Sequence, residues 1–264
     1  MTMKKILTVF AAILVAVAWT GCIAQVKVVD FEKPKMKVFV PPGGLSNGKA
    51  VVACPGGGYQ HLAVYHEGYD WAPFFNDLGF VYAVVSYTMP EGDKARPTGD
   101  VAECFRILAD SAKVWKINPD SIGIMGSSAG GHLAATMSTH HELGCRPAFQ
   151  ILFYPVISFD GSITHRGSRD NFLGAGWTEA DVKEWSADKA VGPDTPPAFI
   201  TLCSDDRVVV PDNSLRYYKS LIDAGVEASM FVYPKGGHGF GYRSRFPFHD
   251  RMTAELAGWL RNLR

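Results

Sequence analysis

The sequence predicts an α/β fold in which a mainly parallel sheet is flanked by helices. Three observations carry that expectation. Short apolar runs, β-branched or aromatic and nearly continuous, recur at 50–54, 80–87, 121–125, 149–156, 198–203 and 228–234, as strands buried on both faces should read. Helical patterns fall between them, and parallel neighbours need such crossovers to reverse the chain. The length, 264 residues, suits one large α/β domain with a sizeable core better than two small ones.

From the N-terminus, residues 1–24 stand apart. Lys4 and Lys5 precede an apolar run over 6–18, and small residues come after it. The run falls short of the roughly 20 residues a membrane-spanning helix needs, and its plan is that of a secretory signal. Cleavage is expected after Ala24, with Cys22 and Ala24 as the small residues of the site. Alternatively, "TGC" ending at Cys22 resembles a bacterial lipoprotein box, which would put a lipid anchor on that cysteine. Either route predicts export to the periplasm or the exterior, with 25–264 as a single domain and no membrane-spanning segment.

"VKVVDF" and "MKVFVPPG" then read as an opening pair of strands, and Asn47-Gly48 marks a turn. Over 100–115, Val101, Phe105, Leu108, Ala112 and Trp115 recur at helical spacing. A second helical pattern over 213–225 places Leu215, Tyr218, Leu221 and Ile222 together, with Gly225 as its C-cap. "RMTAELAGWLRNL" ends the chain as another amphipathic helix. Residues 158–197 break the rhythm: one or two short helices are expected over 171–191 before the loop "GPDTPP". That is a small insertion instead of a full lid, so a site beneath it should be open.

Composition narrows the function classes. Lys plus Arg and Asp plus Glu both number 26, so the net charge is zero, and no basic run argues for a nucleic-acid or anionic-membrane partner. Cys54, Cys104, Cys145 and Cys203 remain in the mature domain, and an even count in an exported protein permits disulfides. Cys54 and Cys203 each end an apolar run, which favours free buried thiols over a bridge. No CxxC or Cys/His cluster has zinc spacing, and neither metal nor organic cofactor is expected.

Ligand sites in parallel sheets form beyond the carboxyl ends of strands. Four of the strand-like runs lead directly into "PGGGYQH", "GSSAGGH", "SDDRVVV" and "KGGHGFG". These segments supply glycine amides, a serine, carboxylates and a histidine, in the chain order Ser, Asp, His of an acyl-transfer triad. Reading 126–130 as G-x-S-x-G makes Ser128 the nucleophile and Ser127 its spacer, because the strand-to-helix turn is too sharp for side chains at the flanking glycines. His238 is the expected base, so activity should fall in acid as the imidazole takes up a proton. Its orienting carboxylate is Asp206 or Asp205, the spacing of "DRVV" favouring Asp206. Gly57 and Gly58, with Ala129 after the nucleophile, are the expected oxyanion donors, since a glycine run lets amides approach a developing O⁻. Candidate substrate contacts are Tyr59, Tyr65, Trp177, Phe240 and Tyr242, as sugar platforms, and His61 and His66, as pocket lining. His132 is expected to face the start of the helix that Ser128 opens.

On these residues the chain resembles the α/β-hydrolase superfamily of esterases and lipases, with "PGGGY" where relatives carry an HGGG loop. It is most similar to secreted bacterial carbohydrate esterases of the acetylxylan esterase kind, over most of 50–260. The resemblance implies an α/β-hydrolase fold, Ser128, Asp206 and His238 as triad, and a carbohydrate ester as partner. It departs at Pro55, where histidine is common, and in "RVVVPDNS", where valine replaces proline. The latter keeps Asp205 open as the alternative. Acetyl esters of xylan are the expected substrate, with feruloyl and short aliphatic esters as alternatives. A serine peptidase, an arylformamidase or a non-catalytic carbohydrate-binding relative would fit the same fold less well.

Overall fold

The computed structural model describes residues 25–42 and 45–263. The expected signal segment, with Ala24 and Cys22, lies outside the described residues. Every described strand joins one sheet. Its strands are β1 (Lys27–Glu32), β2 (Lys35–Val40), β3 (Ala50–Cys54), β4 (Val81–Val85), β5 (Ile122–Ser127), β6 (Gln150–Phe153), β7 (Ala198–Cys203) and β8 (Ala228–Tyr233). Their spatial order is β1-β2-β4-β3-β5-β6-β7-β8. From β4 to β8 all pairings are parallel. The opening hairpin extends the sheet antiparallel, β2 pairing β4 with Met36 opposite Val85.

The helices are α1 (Ala72–Asp77), α2 (Ala95–Asp110), α3 (Ala112–Trp115), α4 (Ser128–Thr139), α5 (Arg166–Leu173), α6 (Glu179–Glu184), α7 (Ala187–Ala190), α8 (Asp212–Asp223) and α9 (His249–Asn262). Alternation along each strand divides the core between the two faces. In β3, Ala50, Val52 and Cys54 pack with α2, α4 and α8, through Val101, Leu133 and Leu221 among others. Val51 and Ala53 pack on the other face with Trp71, Phe75, Leu256 and Leu260 of the α1 and α9 layer. Thus the chain leaves β3 for one face of the sheet and leaves β5, its neighbour, for the other. Two adjacent strands whose crossovers diverge open a crevice at their carboxyl ends.

Two expectations need correction. The helix α8 forms where its pattern predicts, but Leu215 and Ile222 are about half exposed, while Asn213, Ser214, Tyr217 and Leu221 are buried. Polar contacts turn the helix: the Tyr217 hydroxyl donates to Gln150 Oε1 at 2.9 Å, and Asn213 Oδ1 accepts the amides of Ile157 and Ser158. An apolar count cannot see those bonds. The insertion holds three short helices, α5 to α7, starting at Arg166. His165 caps the first by accepting the Ser168 amide, and Thr178 forms a reciprocal capping box with Asp181. The cysteines Cys54, Cys104, Cys145 and Cys203 are free and buried.

Candidate active site

Ser128 opens α4 directly after β5, with φ of 52°. A left-handed conformation is costly for a residue with a Cβ, and close packing around the turn holds it there. A Cβ at Gly126 would lie 2.1 Å from the Gly130 carbonyl oxygen, and one at Gly130 would lie 2.0 Å from that of Cys54. Both are far inside van der Waals contact, so only glycine lets α4 sit this close to β3 and β5. The Ser128 carbonyl accepts the Val156 amide, fixing the turn from the other side. Ser127 is fully buried at the end of β5.

The loops after β7 and β8 bring the other two groups across the sheet end. His238 Nε2 lies 2.8 Å from Ser128 Oγ, and His238 Nδ1 lies 2.7 Å from Asp206 Oδ2. Asp206 is buried, and its Oδ1 accepts the amides of Val208 and Val209, so the carboxylate is held through both oxygens. A carboxylate bonded to Nδ1 fixes that proton on the ring and leaves Nε2 free to accept from the serine. Asp205 faces the other way, accepting the amides of Gly236 and Gly237 in the histidine's own loop. The line Asp206–His238–Ser128 can therefore carry a proton from the serine hydroxyl to the imidazole.

In front of Ser128 lies the glycine turn after β3. Gly57, Gly58 and Tyr59 all have positive φ, of 132°, 65° and 58°. Among the described residues no acceptor takes the Gly57 or Gly58 amide, whereas the Gly56 amide donates to Glu67 Oε2 at 2.7 Å. Ala129 is in the first turn of α4, where amides lack intrahelical partners. The glycine turn packs on the serine: a Cβ on Gly56 would lie 2.8 Å from Ser128 Cβ.

Glu67 is a site residue that the sequence pattern does not single out. It is 3% exposed, and besides Gly56 it accepts the Tyr154 hydroxyl at 2.8 Å. Tyr154 in turn accepts the Gly241 amide and sets its ring edge-to-face with His238, centroids 4.8 Å apart. One buried carboxylate thereby ties the glycine turn, the end of β6 and the histidine loop. A glutamate directly before Gly68, in the segment after the glycine turn, is the only signal of it in the sequence.

The expected sugar contacts divide. Tyr59 and Phe240 are buried and cannot offer a ring face to a sugar. Tyr59 donates to His132 Nδ1, and Phe240 stacks on Phe246 with centroids 4.2 Å apart. Tyr242 is packed on Trp71 and His249. Trp177 is half-buried beneath the Arg169 guanidinium, 4.1 Å from its ring centre. Tyr65 is exposed, and so is His61; His66 is half-buried against Gly241. His132, expected at the helix start, is instead a core residue stacked on Phe159. A cavity of about 520 Å³ lined by Lys49, Phe149, Glu227 and Trp259 opens at the opposite, amino-terminal ends of the strands, and no histidine lines it.

Comparison with known proteins agrees with this fold. A family model described as alpha/beta hydrolase fold matches residues 72–241. The chain belongs to the alpha/beta-hydrolase family. The chain is 45% identical, over 89% of its length, to an acetylxylan esterase of Xylanibacter ruminicola, and 31% identical over 72% to endo-1,4-beta-xylanase B of Butyrivibrio fibrisolvens. The matches cover 49% and 32% of those relatives, so the chain spans half of the first and a third of the second. Among solved structures, an acetyl ester-xyloside bifunctional hydrolase from Caldicellulosiruptor lactoaceticus superposes with a TM-score of 0.79 at 29% identity, covering 86% of this chain and 88% of that one. A sugar hydrolase from Lactococcus lactis gives 0.75 at 25% identity, covering 91% and 100%.

Proposed function

We propose that the protein is a serine carboxylic ester hydrolase that removes acetyl groups from plant polysaccharides or oligosaccharides, acetylxylan foremost. The observation that carries this is the unbroken line from Asp206 through His238 to Ser128 Oγ, beside unpaired glycine amides. The likeness to an acetylxylan esterase supports the substrate class. Export, expected from residues 1–24, would bring the enzyme to a polymer that cannot enter a cell.

In this reading Ser128 attacks the acetyl carbonyl while its proton passes to His238 Nε2. The oxyanion rests on the amides of Gly57, Gly58 and Ala129, where each donor is worth about 3 to 4 kcal/mol of barrier. His238 then protonates the departing sugar oxygen, leaving acetyl-Ser128. Water, deprotonated by His238, attacks that ester, and acetate leaves as the proton returns to Ser128.

The test begins with 4-nitrophenyl acetate. Ser128→Ala should lose activity by a factor of roughly 10⁶ in kcat, as removal of a triad serine does, while Ser127→Ala retains most of it. A Ser128→Ala protein that still turns over the ester at the wild-type rate sinks the assignment. Acetate release from acetylated xylan, compared with other acetylated glycans and with feruloyl release from feruloylated xylan, then ranks the substrates.

A further inference from the structure

His165 sits in the loop before α5, far in sequence from every triad residue, yet the fold sets it in the crevice. A Cβ placed on Gly58 would meet nothing nearer than His165 Cε1, at 3.9 Å. The space before Gly58 is therefore open, and the imidazole is its wall. Asn171 and Ser168 fix that wall. Asn171 of α5 donates from Nδ2 to the Gly58 carbonyl at 2.8 Å, bracing the helix on the glycine turn. The Ser168 amide donates to His165 Nδ1 at 3.2 Å, and Ser168 Oγ lies 2.8 Å from the same nitrogen.

A backbone amide can only donate, so Nδ1 is the acceptor and the ring proton sits on Nε2. Among the described residues no group accepts from Nε2, and that atom is not sealed in the core. Burial and the facing His238 both press the imidazole toward its neutral form, against the opposite pull of Asp206. The result is an N–H donor of fixed direction, half-buried and without a protein partner. It lies next to Gly58 and within electrostatic reach of His238, the group that must protonate the leaving oxygen. An acetyl methyl offers such a donor nothing; a sugar offers hydroxyl and ring oxygens.

We propose that His165 binds the alcohol half of the ester, donating Nε2–H to an oxygen of the sugar that leaves. This rests on the proposed esterase function, and the variants separate the two. His165→Asn keeps an acceptor near the Nδ1 position, so α5 stays capped, but it removes the donor. His165→Gln reaches the Nε2 position with an amide N–H and gives up the cap. kcat and KM are measured on an acetylated xylo-oligosaccharide and on 4-nitrophenyl acetate, with melting temperatures alongside.

His165→Asn should lose at least tenfold more kcat/KM on the sugar ester than on the aryl ester, chiefly through KM. His165→Gln should recover part of that difference. Parallel losses on the two esters, or a Gln variant no better than Asn on the sugar ester, overturn the proposal. Wild-type protein that hydrolyses the aryl ester but no acetylated sugar overturns the substrate reading first, and this assignment falls with it.

Discussion

Asp205 and Asp206 are chemically equal neighbours, and one step of register gives them different tasks. Asp206 is buried and reaches His238, while Asp205 is exposed and pins the backbone of the loop that carries His238. Asp206→Asn should therefore lower kcat about 10⁴-fold with little change in KM, because an amide holds the imidazole in the wrong tautomer. Asp205→Asn loses only charge on two amide contacts and should cost tenfold or less; equal losses in steady-state assays would refute this division. His132 illustrates the opposite case, a histidine with no part in the reaction. Its Nε2–H donates to the Trp185 carbonyl, Nδ1 accepts the Tyr59 hydroxyl, and burial pushes its pKa down to about 4. Sequence could place His132 among eight histidines, but only the packing separates a core ring from a base.

At the scale of elements, the site is an assembly of loops held by a few buried bonds. Glu67 joins the turn after β3 to Tyr154 after β6, and Tyr154 holds Gly241 beyond His238. Hydrogen bonds to a buried charge are worth about 1.5–3 kcal/mol. Glu67→Gln should thus cut kcat roughly tenfold to a hundredfold by loosening the glycine turn, a loss of about 1.4 kcal/mol being one factor of ten. Unchanged kcat in a folded Glu67→Gln protein would show that the turn needs no such brace. The strands and most helices were legible in the sequence because period and apolar content follow from burial on one or two faces. The rotation of α8 and the three-helix insertion were not, since Asn213, Tyr217 and the caps at His165 and Thr178 act through polar bonds to distant or irregular backbone.

For the whole molecule, the buried His132 predicts how stability varies with pH. Its folded pKa, about 4, lies below the unfolded value near 6.5, so protons favour the unfolded chain. The contribution is fully present above about pH 6.5 and is lost as pH falls toward about 4, on the order of 3 kcal/mol in all. Melting temperatures recorded from about pH 8 to about pH 4 should decline most across that window. His132→Gln, less stable than the wild type in mild alkali, should show a shallower decline; an equally steep one would move the effect to other groups. Legible from the chain alone were the α/β class, the glycine frame around Ser128, and the order of serine, carboxylate and histidine. These are local: each needs only strand periodicity and the residues just beyond a strand's end. Packing between distant segments sets the rest: Asp206 meets His238, Glu67 underlies the glycine turn, Tyr59 and Phe240 are core, and His165 comes against Gly58. Those outcomes depend on which loops the diverging crossovers of β3 and β5 bring together, and proximity across a sheet end leaves no periodic trace in the chain.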